Sequence, residues 1–419
     1  MTPGLLHYIL LALGVAATII AHPTPRIDTS TDLPSNSVHQ SGGKHHIVLF
    51  DSTLPNQPSI DDVLSRLGLY PEHEDVVNHF NGSGFRGFSA NMDAHCLDAL
   101  AEMSDVAIVE EVANVSMVET RSTAPWGLER ISSAGTISGN PGTLNFTYSF
   151  DTGSGLGAGA DIYILDSGIN TQHVAFQDRA QVKVLVGSVE DGTGHGTHVS
   201  GIAAGMLVGV ASRANILGIK MFEDNGTGSS DVALKAVGYA IDSHMARRNQ
   251  TGFVGSVMNM SWRVPKINAM NMAIKAANDA GVHTIAAAGN DAEDACTGSP
   301  ASSGGTGGNG ITVGSIDISN AISKFSDTGS CVDVYAPGSN IVSAYIGGDN
   351  VIRPLTGTSM AAPHVAGIVA YLMTANQSLA QDPPAMKAFL KDTGLRDVIT
   401  GPTLPGDPRI LVNNGIRGK

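Results

Sequence analysis

Past Ala158 the chain repeats one texture. Short apolar runs without polar alternation are separated by longer stretches with helical spacing. The runs fall near residues 161–166, 216–222, 255–261 and 283–288, and the helical stretches near 195–207, 229–247, 267–280 and 359–375. A strand that is apolar on both sides must be covered on both faces, and a helix between successive strands is the connection that parallel pairing requires. The pattern predicts an α/β domain whose mainly parallel sheet lies between two helical layers. Such sheets bind ligands beyond the carboxyl ends of their strands. Residues at those ends are therefore the first candidates for chemistry.

The first 118 residues read differently. Leu5 to Ala21 is apolar, short for a membrane span and closed by small residues, which predicts a signal peptide over residues 1–21. The expectation is a secreted, extracellular protein without a membrane anchor. Residues 22–44 lack periodicity and read as a loose linker. Residues 45–118 then alternate strand, helix, strand, helix, strand, with strands at 46–50, 85–90 and 106–115 and helices at 60–69 and 95–103. One antiparallel sheet with two helices on one face fits this order, a small α+β ferredoxin-like unit with no catalytic constellation.

Charge divides the chain at the same place. Residues 22–118 hold 4 Lys/Arg against 14 Asp/Glu, and residues 119–419 hold 20 against 24. With no basic stripe, no nucleic-acid partner is expected. The acidic third also carries seven of the fourteen histidines. A solvated acidic surface accounts for that composition, and charging of those histidines near pH 6.5 as a release signal is the alternative. Of the three cysteines, Cys96 lies in the acidic third and Cys296 and Cys331 beyond it. Removal of the acidic third would leave an even number and one disulfide, a hint of proteolytic maturation.

Four local sequences carry possible chemistry. Asp161 to Gly168 ends an apolar strand in Asp166, which alone could be a turn residue or helix cap. Gly192 to Gly201 places His195 and His198 at the start of an apolar helix. Their i, i+3 spacing, with no third ligand or Glu base, is poor for zinc. Glycines on both sides of His195 suit an imidazole approached closely by other groups, and His198 is expected to support the structure. Val282 to Asp291 is a buried strand ending in Gly289-Asn290, either a simple turn or an amide aimed at a developing oxyanion. Gly357-Thr358-Ser359-Met360-Ala361-Ala362-Pro363-His364 leads into a long apolar helix, with proline tolerated in its first turn. Ser359 then stands near unpaired N–H groups and the positive end of the helix dipole. A cap is the simpler reading until a base and its orienting partner are found.

Together and in this order, Asp166, His195, Asn290 and Ser359 carry the local sequences of the subtilisin-like serine proteases, and the chain is most similar to the proteinase K branch. The resemblance covers roughly residues 119–400. It includes Ala124-Pro125-Trp126-Gly127-Leu128, the His195-Gly-Thr-His-Val block, Asn259-Met260-Ser261, Ala287-Ala288-Gly289-Asn290 and Gly357 to Gly367. It implies a subtilisin-like three-layer fold over residues 119–419. Over residues 22–118 it implies an inhibitory and foldase-like prosegment, removed by self-cleavage near Val118. Ser359 is implied as nucleophile, His195 as general base, Asp166 as the residue that orients His195, and Asn290 as oxyanion donor, with no cofactor for catalysis. Substrates would be proteins or peptides, bound as an added strand along 223–231 and 259–264. Ser261, Trp262, Arg263, Ala287 and Gly289 would then surround the pocket for the P1 side chain.

Arg263 departs from the family, which usually has glycine there; it could narrow the pocket, point outward or recruit an acidic side chain. The resemblance pairs Cys296 with Cys331. It also makes Asp333 a ligand for a structural calcium ion, with carbonyls near 303–310, and a plain structural aspartate is the alternative. Asn145, Asn225, Asn249 and Asn376 stand in glycosylation sequons, as do Asn81 and Asn114 upstream. The strand sequon at Asn259 is expected to be inaccessible. The expected molecule is a monomeric, broad degradative endopeptidase, since the chain ends about 45 residues past the Ser359 helix and carries no following β-sandwich. A narrow processing protease and a catalytically silent scaffold acting as a binding protein are the rival readings.

Overall fold

The computed structural model describes residues 43–417 except 57, 83 and 113–117. The expected signal peptide, most of the linker and most of the segment leading to Val118 lie outside the described residues. The chain forms two compact units, divided between Asn114 and Val115.

The first unit runs β1 (Lys44–Phe50), α1 (Ile60–Arg66), β2 (Val76–Asn81), β3 (Arg86–Met92), α2 (Ala94–Ala101) and β4 (Val106–Glu111). Its sheet has the order β2-β3-β1-β4 with antiparallel pairings throughout. Val48, Phe50, Val63, Leu64, Phe88 and Leu100 form its core. Ser59 and Asp93 cap the two helices by accepting from the N–H groups of Asp62 and Cys96. The sequence reading omits β2, so there are four strands rather than three. The strand escapes notice because Val77, Asn78 and His79 face solvent at the sheet edge, leaving no apolar run.

The second unit begins with β5 (Val118–Ala124), α3 (Trp126–Ile131) and β6 (Phe146–Asp151). The central elements follow as β7 (Ala160–Asp166), β8 (Ala180–Val184), α4 (His195–Ala204), β9 (Asn215–Lys220), α5 (Ser230–Arg247), β10 (Gly255–Met260), β11 (Val264–Pro265) and α6 (Asn268–Asp279). The chain closes with β12 (Val282–Ala287), β13 (Gly298–Ser299), β14 (Ile311–Ile316), β15 (Val334–Pro337), β16 (Ile341–Ala344), β17 (Ile352–Leu355), α7 (Thr358–Ala375) and α8 (Pro383–Thr393). Residues 131–158, rich in glycine, serine and threonine, contain β6, which pairs antiparallel with β5. Phe146, Tyr148 and Phe150 are buried on one face of it and alternate with polar residues. That period of two is masked by the glycine, serine and threonine on either side.

Seven strands form the main sheet in the order β15-β14-β12-β10-β7-β9-β8, and every pairing is parallel. Strand β7 shows why its sequence does not alternate in polarity. Ile162 and Ile164 pack in one layer with Val199 of α4 and Val365 and Ile368 of α7. Tyr163 and Leu165 point the other way, toward Val237 of α5 and Met270 and Ile274 of α6. Each fully buried aliphatic side chain contributes about 1.5–3 kcal/mol, so both faces have to be covered. The chain order carries Asp166, Ser261 and Asn290 to the carboxyl ends of β7, β10 and β12. Helices α4 and α7 begin with His195 and Thr358–Ser359.

Candidate active site

Asp166, the last residue of β7, is buried, with 1% of its surface exposed. Its Oδ1 accepts from the Ser167 N–H at 2.7 Å. Both of its oxygens face His195 Nδ1, at 2.8 and 2.9 Å. With Nδ1–H donating to the carboxylate, Nε2 is the ring nitrogen left to accept a proton. Burial works against a charged imidazole here. The charge and hydrogen bond of Asp166, helped by the charge of Asp191, outweigh it and hold the His195 pKa above its ordinary value.

Gly194 takes a left-handed conformation just before His195, with φ of 79°. The turn is held by Asp191, a buried carboxylate that the sequence reading missed. Asp191 Oδ1 accepts from Gly194 N–H at 2.9 Å and from the Ser167 hydroxyl at 2.7 Å. Its Oδ2 accepts from the Thr197 N–H at 2.9 Å and from the Thr197 hydroxyl at 2.6 Å. Ser167 Oγ in turn accepts from Gly196 N–H at 3.0 Å. One carboxylate thus fixes the first turn of α4 and ties it to the loop after Asp166. An acidic residue four places before a helix-opening histidine was the available signal. His198 is buried and bonds the Arg353 carbonyl through Nε2 at 2.9 Å, and burial pushes its pKa down to about 4. It supports the structure, as expected.

Ser359 is the second residue of α7. Its hydroxyl donates to the Ser261 carbonyl at 3.1 Å, and the Ser261 hydroxyl donates back to the Ser359 carbonyl at 2.9 Å. The second bond has a cause in the sequence. Pro363 lies in the second turn of α7, not the first, and has no N–H to offer the carbonyl four residues earlier. That carbonyl belongs to Ser359, and Ser261 satisfies it instead. The N–H of Ser359 lies in the first helical turn, where amides have no intrahelical acceptor.

Asn290 is exposed beside this turn. Its Oδ1 accepts from the Thr358 N–H at 2.8 Å and the Thr358 hydroxyl at 2.9 Å. The amide orientation is set by those two bonds, leaving Nδ2 with its hydrogens free for another acceptor. Gly289 before it has φ of 122°, and a Cβ there would lie 2.1 Å from Asp327 Oδ2. Only glycine fits. Ala287 is buried at the end of β12.

In the strip after β10, Trp262 is 8% exposed and belongs to the core layer with Met270 and Ile274. Arg263 crosses to the facing strip. A Cβ on Gly289 would lie 3.2 Å from Arg263 Cδ, and one on Gly298 would lie 2.4 Å from its Nε. Its Nη1 lies 2.6 Å from Asp291 Oδ2 and its Nη2 donates to Thr297 Oγ1 at 2.7 Å. The buried Asp327 carboxylate stands 3.8 Å from Nε. Of the three sequence alternatives, the one seen directly is the recruitment of acidic side chains, Asp291 and Asp327.

Cys296 and Cys331 form a disulfide with Cα atoms 5.3 Å apart. Cys96 is a free thiol. Asn145, Asn225, Asn249 and Asn376 are all exposed, and Asn259 is fully buried. Asp333 is buried at the expected place, but a side chain of the protein already meets it. The Lys387 ammonium lies 3.1 Å from Asp333 Oδ1 and donates to the carbonyls of Gly305, Gly308 and Gly310 at 2.7, 3.0 and 2.8 Å. Calcium needs six to eight oxygens at about 2.3–2.6 Å. With Lys387 in their midst, these residues do not fit the calcium ion expected there.

The family model described as the subtilase family matches residues 157–409. A subtilisin-like serine protease of Cochliobolus lunatus is 39% identical over 70% of this chain and 59% of its own length. Cerevisin of Saccharomyces cerevisiae is 37% identical over 79% of this chain and 53% of its own. A subtilisin-like proteinase of Pyricularia oryzae is 32% identical over 97% of this chain and 84% of its own. The chain thus spans between about half and three fifths of the length of the first two of these relatives. The crystal structure of a cold-adapted subtilisin-like serine proteinase superposes with a TM-score of 0.60 at 32% identity, over 70% of this chain and 99% of that one.

Proposed function

The chain belongs to the subtilase family, and from that membership and the geometry of four residues we propose that it is a serine endopeptidase working through an acyl-enzyme. The carrying observation is the Asp166–His195 pair, which leaves Nε2 to accept a proton, together with Asn290 Nδ2 and the Ser359 N–H, which both lie beside Gly357 and are free to donate. Ser359 Oγ turns from the Ser261 carbonyl to His195 Nε2 and attacks the peptide carbonyl as His195 takes its proton. The oxygen that becomes negative is met by Asn290 Nδ2 and the Ser359 N–H. His195 passes its proton to the leaving amine, and Asp166 stabilises the imidazolium meanwhile. A water then repeats the sequence on the ester. Protein or peptide chains are the substrates.

The first unit serves as an inhibitory prosegment and is removed by cleavage near Val118, and the enzyme is secreted, glycosylated and degradative. The sequence pattern of residues 1–21 and the exposure of the sequon asparagines support this reading. Arg263 narrows the P1 pocket, because its side chain packs on Gly289 and Gly298, the backbone a large P1 side chain would have to reach. Arg263→Gly is expected to raise kcat/KM for peptides with Phe or Leu at P1 relative to Ala. An unchanged preference would reject the narrowing.

The test of the whole reading is labelling with an active-site serine phosphonate, followed by mass spectrometry of the secreted protein. Label on Ser359, in a species that starts near residue 119, is the expected result. An intact, unlabelled chain that stays unlabelled after acidification would instead favour the silent scaffold.

A further inference from the structure

We propose that Lys387 is a built-in cation that takes the place of a divalent ion between the loop Ser303–Gly310 and Asp333, so that this part of the fold is held without metal. The geometry is that of a filled cation site. An ammonium has three N–H donors and no acceptor, and all three are spent on the carbonyls of Gly305, Gly308 and Gly310. No donor is left for Asp333 Oδ1, which makes no aligned hydrogen bond and faces the charge at 3.1 Å. The other oxygen of Asp333 accepts from the N–H groups of Gly305 and Thr312, each at 3.0 Å. Lys391, one turn along α8, adds a second positive charge 3.6 Å from Oδ1. Asp333 is fully buried and Lys387 nearly so. A buried carboxylate without a cation would be strongly unfavourable, and here the chain supplies its own.

The glycine-rich loop is shaped for this one contact. Gly305 has φ of 76°, and a Cβ on it would lie 2.3 Å from the Ser330 carbonyl. At Gly308 a Cβ would lie 2.1 Å from the carbonyls of Ser303 and Gly304. Only a chain without side chains at these points can turn three carbonyls inward onto one nitrogen. Loop and lysine therefore form one device. Four contacts at 2.7–3.1 Å suit an ammonium, whereas calcium would need more oxygens at shorter range.

Hydrogen exchange of the full chain in the Ser359→Ala background tests this, with self-digestion removed. Peptides covering residues 303–316 are followed in chelator and in millimolar calcium, for the parent and for Lys387→Ala. In the parent, protection of the loop is expected to be equal in the two conditions. In Lys387→Ala, exchange in chelator is expected to rise at least about tenfold, and calcium is expected to restore protection by entering the emptied site. Loss of parent protection in chelator would overturn the proposal, because an ion rather than the lysine would then hold the loop. Unchanged protection in Lys387→Ala, or loss that calcium does not reverse, would overturn it too. If Lys387→Ala does not fold, the parent comparison still decides the matter, and Lys387→Gln repeats the variant arm with most of the side chain kept.

Discussion

His195 is the residue whose surroundings make the sharpest statement about solution behaviour. It must be neutral to take the Ser359 proton, so activity is lost as pH falls through its pKa. Burial alone would move that pKa down, and Asp166 and Asp191 together move it up instead. The acid limb of kcat/KM should therefore lie above the ordinary histidine value of about 6.5. A pH–rate profile with an acid limb below that value would contradict the electrostatics described. Asn290 offers a second single-residue test. Its Oδ1 is fixed by Thr358, so its function rests on Nδ2. Asn290→Ala should lower kcat about 10²–10³-fold with little change in KM, since the oxyanion exists only in the transition state. Steady-state kinetics on one peptide substrate are sufficient, and a loss confined to KM would assign Asn290 to ground-state binding.

At the level of the element, helix α4 depends on a carboxylate outside it. Asp191 satisfies the N–H groups of Gly194 and Thr197, and its charge adds to the raised pKa of His195. Asp191→Asn should lower unfolding free energy by about 1–2 kcal/mol, as loss of a good cap does. It should also shift the acid limb to lower pH, a change that weakened folding alone would not cause. Asp191 also shows where sequence reading stops. Strands β7, β9, β10 and β12 and helices α4 to α7 were legible because burial on both faces writes an apolar run directly into the chain. Asp166, His195, Asn290 and Ser359 were legible because each ends or opens one of those elements. Asp191, Lys220 and Lys387 were not. Each is a charged side chain that folds inward onto partners distant in sequence or on a loop, and local pattern marks such residues as surface. Lys220, for example, is fully buried and donates to the Ser167 carbonyl at 2.6 Å. Arg263 was visible as a departure, but its path across to Asp291 depends on how the fold brings the two loops together.

On the scale of the whole molecule, the two units differ in what holds them. The first has a small core and a free thiol, Cys96. The second has two layers of core around its sheet and one covalent bridge, Cys296–Cys331, separated by 35 residues. A bridge closing a loop of that size contributes about 3–4 kcal/mol on the chain-entropy view, by restricting the unfolded state. The two tryptophans, Trp126 and Trp262, are both buried in the second unit, so their fluorescence reports its unfolding without contribution from the first. Denaturant titration followed at tryptophan should show the double variant Cys296→Ser/Cys331→Ser less stable than the parent by about 3–4 kcal/mol in the Ser359→Ala background. Reduction of the parent should bring it to the same midpoint. If reduction left the parent's midpoint unchanged while the double variant fell, the loss would belong to packing of the cysteine side chains beside Ser330 rather than to the covalent bond.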